Sequence, residues 1–259
     1  MRKHPTILKS LVFTLLVISI ALAPVLSAQP LEKRSAAAGL APCAAMPQLP
    51  QGTIGPINVG ITCDNDFAAY LGDCCSATTF ISGNSCEVTN ACIRHGQTFT
   101  IPAITGSSFL YIVAWSDSFV AQGLLVSLGP GPVSSTPPGA ILGGDLRWQV
   151  YATGMTPFPQ SPPSGADNSF PAPKKKFQKF LNAQLALACE RNLWTTPTNG
   201  GSNASGNNGL EPPVSVVDPN ALWMWFKSNK PACAGPQSPF APGCDHGEFL
   251  IFRFPLTYV

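Results

Sequence analysis

Ile57-Asn58-Val59-Gly60-Ile61-Thr62-Cys63-Asp64-Asn65-Asp66-Phe67-Ala68-Ala69-Tyr70-Leu71-Gly72 is the stretch whose reading decides the fold. Ile57, Val59 and Ile61 alternate with small or polar residues, the period of a half-buried strand. Asp64-Asn65-Asp66 then turns the chain, because Asp and Asn side chains bond nearby backbone N–H groups. Phe67–Leu71 resumes as a second strand. Strand-like runs recur at Gln97–Ile101, Phe109–Trp115, Leu124–Leu128 and Leu146–Ala152, separated by clusters of Gly, Pro, Asn and Asp. Short strands punctuated in this way mark an all-β chain.

Phe109–Trp115 lacks clean alternation, which predicts a central strand buried on both faces. Ala221–Lys227 and Glu248–Phe254 are also strand-like, and the last is so apolar that it must pair with a sheet already present. One segment breaks the pattern. In Lys174–Trp194, residues Phe177, Phe180, Leu181, Leu185 and Ala188 fall on one helical face. The expected fold is an antiparallel, jelly-roll-type β-sandwich with one inserted helix and long loops.

Composition narrows the function class. Of 259 residues only 11% are charged, against 27 Pro and 23 Gly, which excludes coiled coils, helical bundles and charged disordered tails. Met1–Ala28 has the parts of a secretory signal: Arg2, Lys3 and Lys9, the apolar run Leu11–Leu22, Pro24, and small residues at Ser27-Ala28. That run is about a dozen residues, short of the roughly 20 that span a bilayer, so no membrane span is expected after processing. Lys33-Arg34 resembles a dibasic processing site. The expected organisation is a signal peptide at 1–28, a propeptide or linker at 29–39, and one sandwich domain at 40–259 carrying an insertion at 155–247. Removing the leader takes away three cations and no acid, so a formal charge of +2 becomes −1. Such a chain has no electrostatic reason to seek nucleic acid or anionic lipid.

Nine cysteines follow the leader: Cys43, Cys63, Cys74, Cys75, Cys86, Cys92, Cys189, Cys233 and Cys244. Behind a signal peptide they read as disulfides. No C-x-x-C favours zinc. Cys233 and Cys244 bracket a Pro/Gly-rich loop that they are placed to close, and the six between 43 and 92 are expected to pair mostly among themselves. An odd count leaves a free thiol or a bridge to a second copy. Asn203-Ala204-Ser205 is a glycosylation sequon within Asn199–Gly209, which reads as an exposed loop with no core role.

Asn58–Gly72, with its Asp-Asn turn and its aromatic-Leu-Gly ending, is similar to a segment of galactose-binding-like β-sandwiches. So are Tyr111–Asp117 with Gln122-Gly123-Leu124-Leu125, and Leu146-Arg147-Trp148; the resemblance covers roughly residues 55–155. Gly72-Asp73-Cys74-Cys75 departs from it, standing where the family has Asn-Gly and then a tryptophan, which suggests a disulfide in place of aromatic packing. The resemblance implies a non-catalytic module that binds carbohydrate through its loops.

The candidate contact residues are Asp64, Asp66, Asp117, Trp223 and Trp225. Asp64-Asn65-Asp66 reads either as oxygen ligands for a structural Ca²⁺ or as a turn. Trp223 and Trp225 read either as core or as an open platform for a sugar ring, while Trp115 and Trp148 read as core. No nucleophile elbow, H-E-x-x-H or P-loop occurs, so no catalytic residue, metal or cofactor is assigned. The expectation is a secreted binding protein for a glycan or cell-wall surface. The alternatives are a structural or host-interaction protein without glycan binding, and a hydrolase using Asp245, His246 and Glu248.

Overall fold

The turn Asp64-Asn65-Asp66 carries the chain from one sheet into another. A computed structural model describes residues 53–84, 96–105, 108–116, 121–129, 141–155, 175–241, 244 and 248–256. Its strands are β1 (Thr53–Ile54), β2 (Ile57–Asp64), β3 (Asp66–Gly72), β4 (Ala77–Asn84), β5 (Gln97–Ile101), β6 (Ile104–Thr105) and β7 (Phe109–Trp115). They continue as β8 (Gly123–Gly129), β9 (Ile141–Leu142), β10 (Gln149–Ala152), β11 (Thr198–Ser202), β12 (Leu222–Trp225) and β13 (Leu250–Pro255), with helix α1 (Lys175–Glu190) between β10 and β11.

The two large sheets have the orders β10-β13-β7-β3-β4 and β11-β12-β8-β2-β5, the second with β9 added to β8, and β1 pairs with β6 in a separate two-stranded sheet. Neighbours in both are antiparallel. The expected antiparallel sandwich, stapled by disulfides and carrying one long helix, is the observed fold.

Strand β7 shows why its sequence does not alternate. Leu110, Ile112 and Ala114 face the other sheet, while Phe109, Tyr111, Val113 and Trp115 face the opposite way, into a second apolar layer. Helix α1 fills that layer with Leu181, Leu185 and Ala188. Both faces of the five-stranded sheet are therefore covered, and each large side chain fully buried contributes about 1.5–3 kcal/mol. The helix is fastened at its side as well. The Asn182 amide donates to Ala77 O (3.1 Å) and accepts from Ala77 N–H (2.8 Å), at the start of edge strand β4.

Residues 155–247 are less separate than the sequence suggests. Within them, β11 and β12 are strands of the six-stranded sheet, and α1 is the cover of the five-stranded one. Leu146–Ala152 is also shorter as a strand than expected. Asp145 accepts from the Arg147 backbone N–H (2.9 Å) and pairs with its guanidinium (2.6 Å), forming a turn that leaves Leu146 84% exposed before β10 begins at Gln149.

Two disulfides lie among the described residues, Cys75–Cys189 and Cys233–Cys244. The second is the expected loop closure. The first corrects the expected pairing within 43–92 for Cys75, because Cys189, in the last turn of α1, packs against the Cys74-Cys75 turn. Cys74 is also disulfide-bonded. Cys63 is free and wholly buried in β2, so it cannot bridge to a second copy while the core is intact. Cys43, Cys86 and Cys92 lie outside the described residues. Among the described residues no helix is long and apolar enough to cross a membrane.

Candidate functional site at the acidic end of the sandwich

Strand β2 ends at Asp64 and β3 begins at Asp66, so both carboxylates sit where the chain crosses between sheets. The Asn65 N–H donates to Trp115 O at the end of β7 (2.9 Å), which ties the crossing to the five-stranded sheet. Asp64 pairs in register with Gly123 at the start of β8. Gly123 is required there, because a Cβ would stand 2.5 Å from Cε3 of the Trp223 ring packed over it.

Glu211 completes the cluster from a distant part of the chain. Its carboxyl is hydrogen-bonded to Asp64, and burial holds its pKa above the ordinary 4.5 despite that bond. Burial also pushes the Cys63 thiol well up, and the charges of Asp64 and Asp66 push it further. Asp64, Asn65 and Glu211 keep only 6%, 8% and 8% of their surface and Asp66 2%. Carboxyls are rarely withdrawn from water this far unless paired or hydrogen-bonded.

Amides and loops frame the cluster. Gln122, fully buried beside Gly123, donates through Nε2 to Pro239 O and to Cys244 O (2.6 Å), which holds the Cys233–Cys244 loop against this end. Its Oε1 has no partner among the described residues, and neither does Asn207 Nδ2. Ser116 and Ala121, which flank 117–120, meet here through Ser116 Oγ and Ala121 O (3.5 Å).

Of the expected contact residues, Asp64 and Asp66 are brought together, and Asp117 lies outside the described residues. Trp223 and Trp225 are corrected as a sugar platform. Both are 0% exposed members of the main core cluster, which also holds Met224 from the other face of the strand, and their indole N–H groups have no acceptor among the described residues. Segment 210–221 covers the outer side of their strand through Val214, Val217 and Ala221, so no ring face is open. Trp148 and Trp115 are core, as expected.

The sequon is corrected too. Asn203 is 3% exposed, and its Nδ2 donates to Val214 O (2.9 Å), Val217 O (2.8 Å) and Asp218 O (3.3 Å) while Oδ1 accepts from Val214 N–H (2.7 Å). A glycan on that nitrogen is incompatible with this packing. Thr198–Ser202 of the same stretch is an edge strand rather than a loop.

The hydrolase residues are not assembled among what is described. Asp245 and His246 lie outside it. Glu248 is buried, accepts from Gly154 N–H (2.6 Å) and stands 4.0 Å from Lys230 Nζ.

Sequence reading missed Glu211, Gln122 and Cys63 as members of this end. Glu211 follows a Gly/Asn run with no periodicity, so nothing local marks it; only pairing of β2 with β8 and the fold of 203–221 bring it to Asp64. No protein-family model, curated protein or solved structure matches the chain.

Proposed function

We propose that this chain is a secreted, non-catalytic binding protein that takes carbohydrate at its acidic end, through Asp64, Asn65 and Glu211 with Asp66 behind them. The observation that carries this reading is the gathering of three carboxyl groups, nearly withdrawn from water, at one end of a sandwich whose chain is only 11% charged. Burying a carboxylate costs several kcal/mol, and perturbed carboxyls concentrate at functional sites. A carboxylate offers acceptors, a protonated carboxyl adds a donor, and an amide has both. Sugar hydroxyls need that mixture.

The resemblance of residues 55–155 to galactose-binding-like sandwiches supports glycan as the ligand class. The leader at 1–28 and the disulfides support an extracellular setting. Aromatic stacking by Trp223 and Trp225 has no part in this reading.

Polysaccharide pull-down and glycan-array binding with the full chain test it. Retention on at least one glycan class is expected, and Asp64→Asn should weaken it about tenfold, the scale of one hydrogen bond to a charged group, with the melting curve retained. No binding to any glycan overturns the proposal.

A further inference from the structure

At the opposite side of the five-stranded sheet from the six-stranded one, three cysteine sulfurs meet. The Sγ atoms of Cys74, Cys75 and Cys189 lie within 4.8 Å of one another. Asp73 shapes the turn that presents two of them, its carboxylate accepting from the N–H groups of Cys75 (2.9 Å) and Ser76 (2.8 Å). Beneath the turn stands Arg253, the one cation in the apolar strand β13. It donates to Cys74 O (3.0 Å) and Gln149 Oε1 (2.7 Å), lies 3.9 Å over the Trp194 ring, and points Nη1 at Cys189 Sγ (3.8 Å). Burial draws Arg253 down to about 10, so it remains a cation at neutral pH. Cys75 is partly exposed while Cys189 is 3% exposed.

We propose that Cys75–Cys189 is a thiol–disulfide exchange site, open to a low-molecular-weight or protein thiol at Cys75 and organised by Arg253 to release Cys189 as the leaving thiolate. The incoming thiol gives its proton to solvent, and its thiolate attacks Cys75 Sγ. A new S–S bond forms there as the Cys75–Cys189 bond breaks, and the electron pair leaves on Cys189 Sγ beside the guanidinium. The incoming sulfur is oxidised to the disulfide level and Cys189 is reduced. A cation next to a leaving thiolate stabilises it and speeds its departure. The Cys189 thiolate is then in reach of Cys74 Sγ. Attack there forms Cys74–Cys189 and expels, as a thiolate, the sulfur to which Cys74 was bonded. The last turn of α1 is therefore free of a covalent tie to the sheet it covers only between the opening of Cys75–Cys189 and the closing of Cys74–Cys189.

The test treats the oxidised full chain with limiting reduced glutathione, quenches with acid, alkylates the released thiols under denaturing conditions, and maps them by peptide mass spectrometry. Glutathione is expected on Cys75 and alkylation on Cys189 before either Cys233 or Cys244 is labelled, and a Cys74–Cys189 cross-linked peptide should follow. Arg253→Gln should slow the release of Cys189 by about tenfold, and Arg253→Lys, which keeps the charge, should restore most of the rate. Opening of Cys233–Cys244 at the same rate or sooner overturns the proposal in the wild-type chain, whether or not R253Q folds. Equal rates for R253K and R253Q, or no Cys74–Cys189 peptide, also overturn it.

Discussion

Truncating Asn203 to alanine removes an amide that bridges one backbone N–H and three carbonyls inside the 203–218 segment. Buried backbone groups left unpaired cost about 1–3 kcal/mol each, so Asn203→Ala should destabilise the fold by about 3 kcal/mol, read as a lower urea midpoint at unchanged slope. A loss under about 1 kcal/mol would mean that solvent already serves those groups. The same bonds predict that the intact mass is unchanged by peptide-N-glycosidase treatment. Glu211 makes a second prediction. Its carboxyl binds a proton more tightly folded than unfolded, because burial raises its pKa above 4.5. Its contribution is complete below that value and is lost as pH rises through the folded pKa. Glu211→Gln keeps a donor toward Asp64 and cannot ionise, so its melting temperature should fall less than that of the wild type as pH rises from acid to neutral. Parallel curves for the two would show that Glu211 is not the titrating group.

Helix α1 is held to edge strand β4 by polar contacts as well as by Leu181 and Leu185. Gln178 Nε2 donates to Ala77 O and Thr78 O (3.0 Å each), beside the paired bonds of Asn182. Asn182→Ala should therefore cost about 1–3 kcal/mol and accelerate hydrogen exchange along α1 while β7 and β13 stay protected. Uniform acceleration of all three would mean that the helix and sheet open as one unit. Local pattern made much of this element level legible. Phe109–Trp115 announced a strand covered on both faces, and the spacing Phe177, Phe180, Leu181, Leu185 announced the helix that covers it. What was illegible depended on partners distant in sequence. Thr198–Ser202 has no apolar residue and becomes a strand only because β12 lies beside it. Trp223, Met224 and Trp225 look two-faced in sequence, and only the segment at 210–221 decides that all three are interior. Asp64 and Asp66 were legible as a pair, whereas Glu211 reaches them from about 145 residues away.

At the scale of the molecule, the described residues form a sandwich of two large sheets with a helix on one outer face, pinned by disulfides of very different reach. Cys75–Cys189 spans 114 residues and Cys233–Cys244 spans 11. In the chain-entropy model these close loops worth roughly 5 and roughly 3 kcal/mol. The long bridge ties the helix to the sheet, while the short one holds its loop against Gln122 at the acidic end. The sulfur cluster at the last turn of α1 and the carboxyl cluster at the β2–β3 crossing thus lie on different parts of the fold. The latter carries the functional claim, and a titration of uniformly ¹⁵N-labelled protein with the glycan retained in pull-down addresses it most directly. The amide resonances of Asn65, Asp66, Gln122 and Glu211 should shift together and saturate at one affinity. Shifts confined to residues of α1 and β4, or saturable binding that leaves the Asp64–Asp66 amides unmoved, would contradict it.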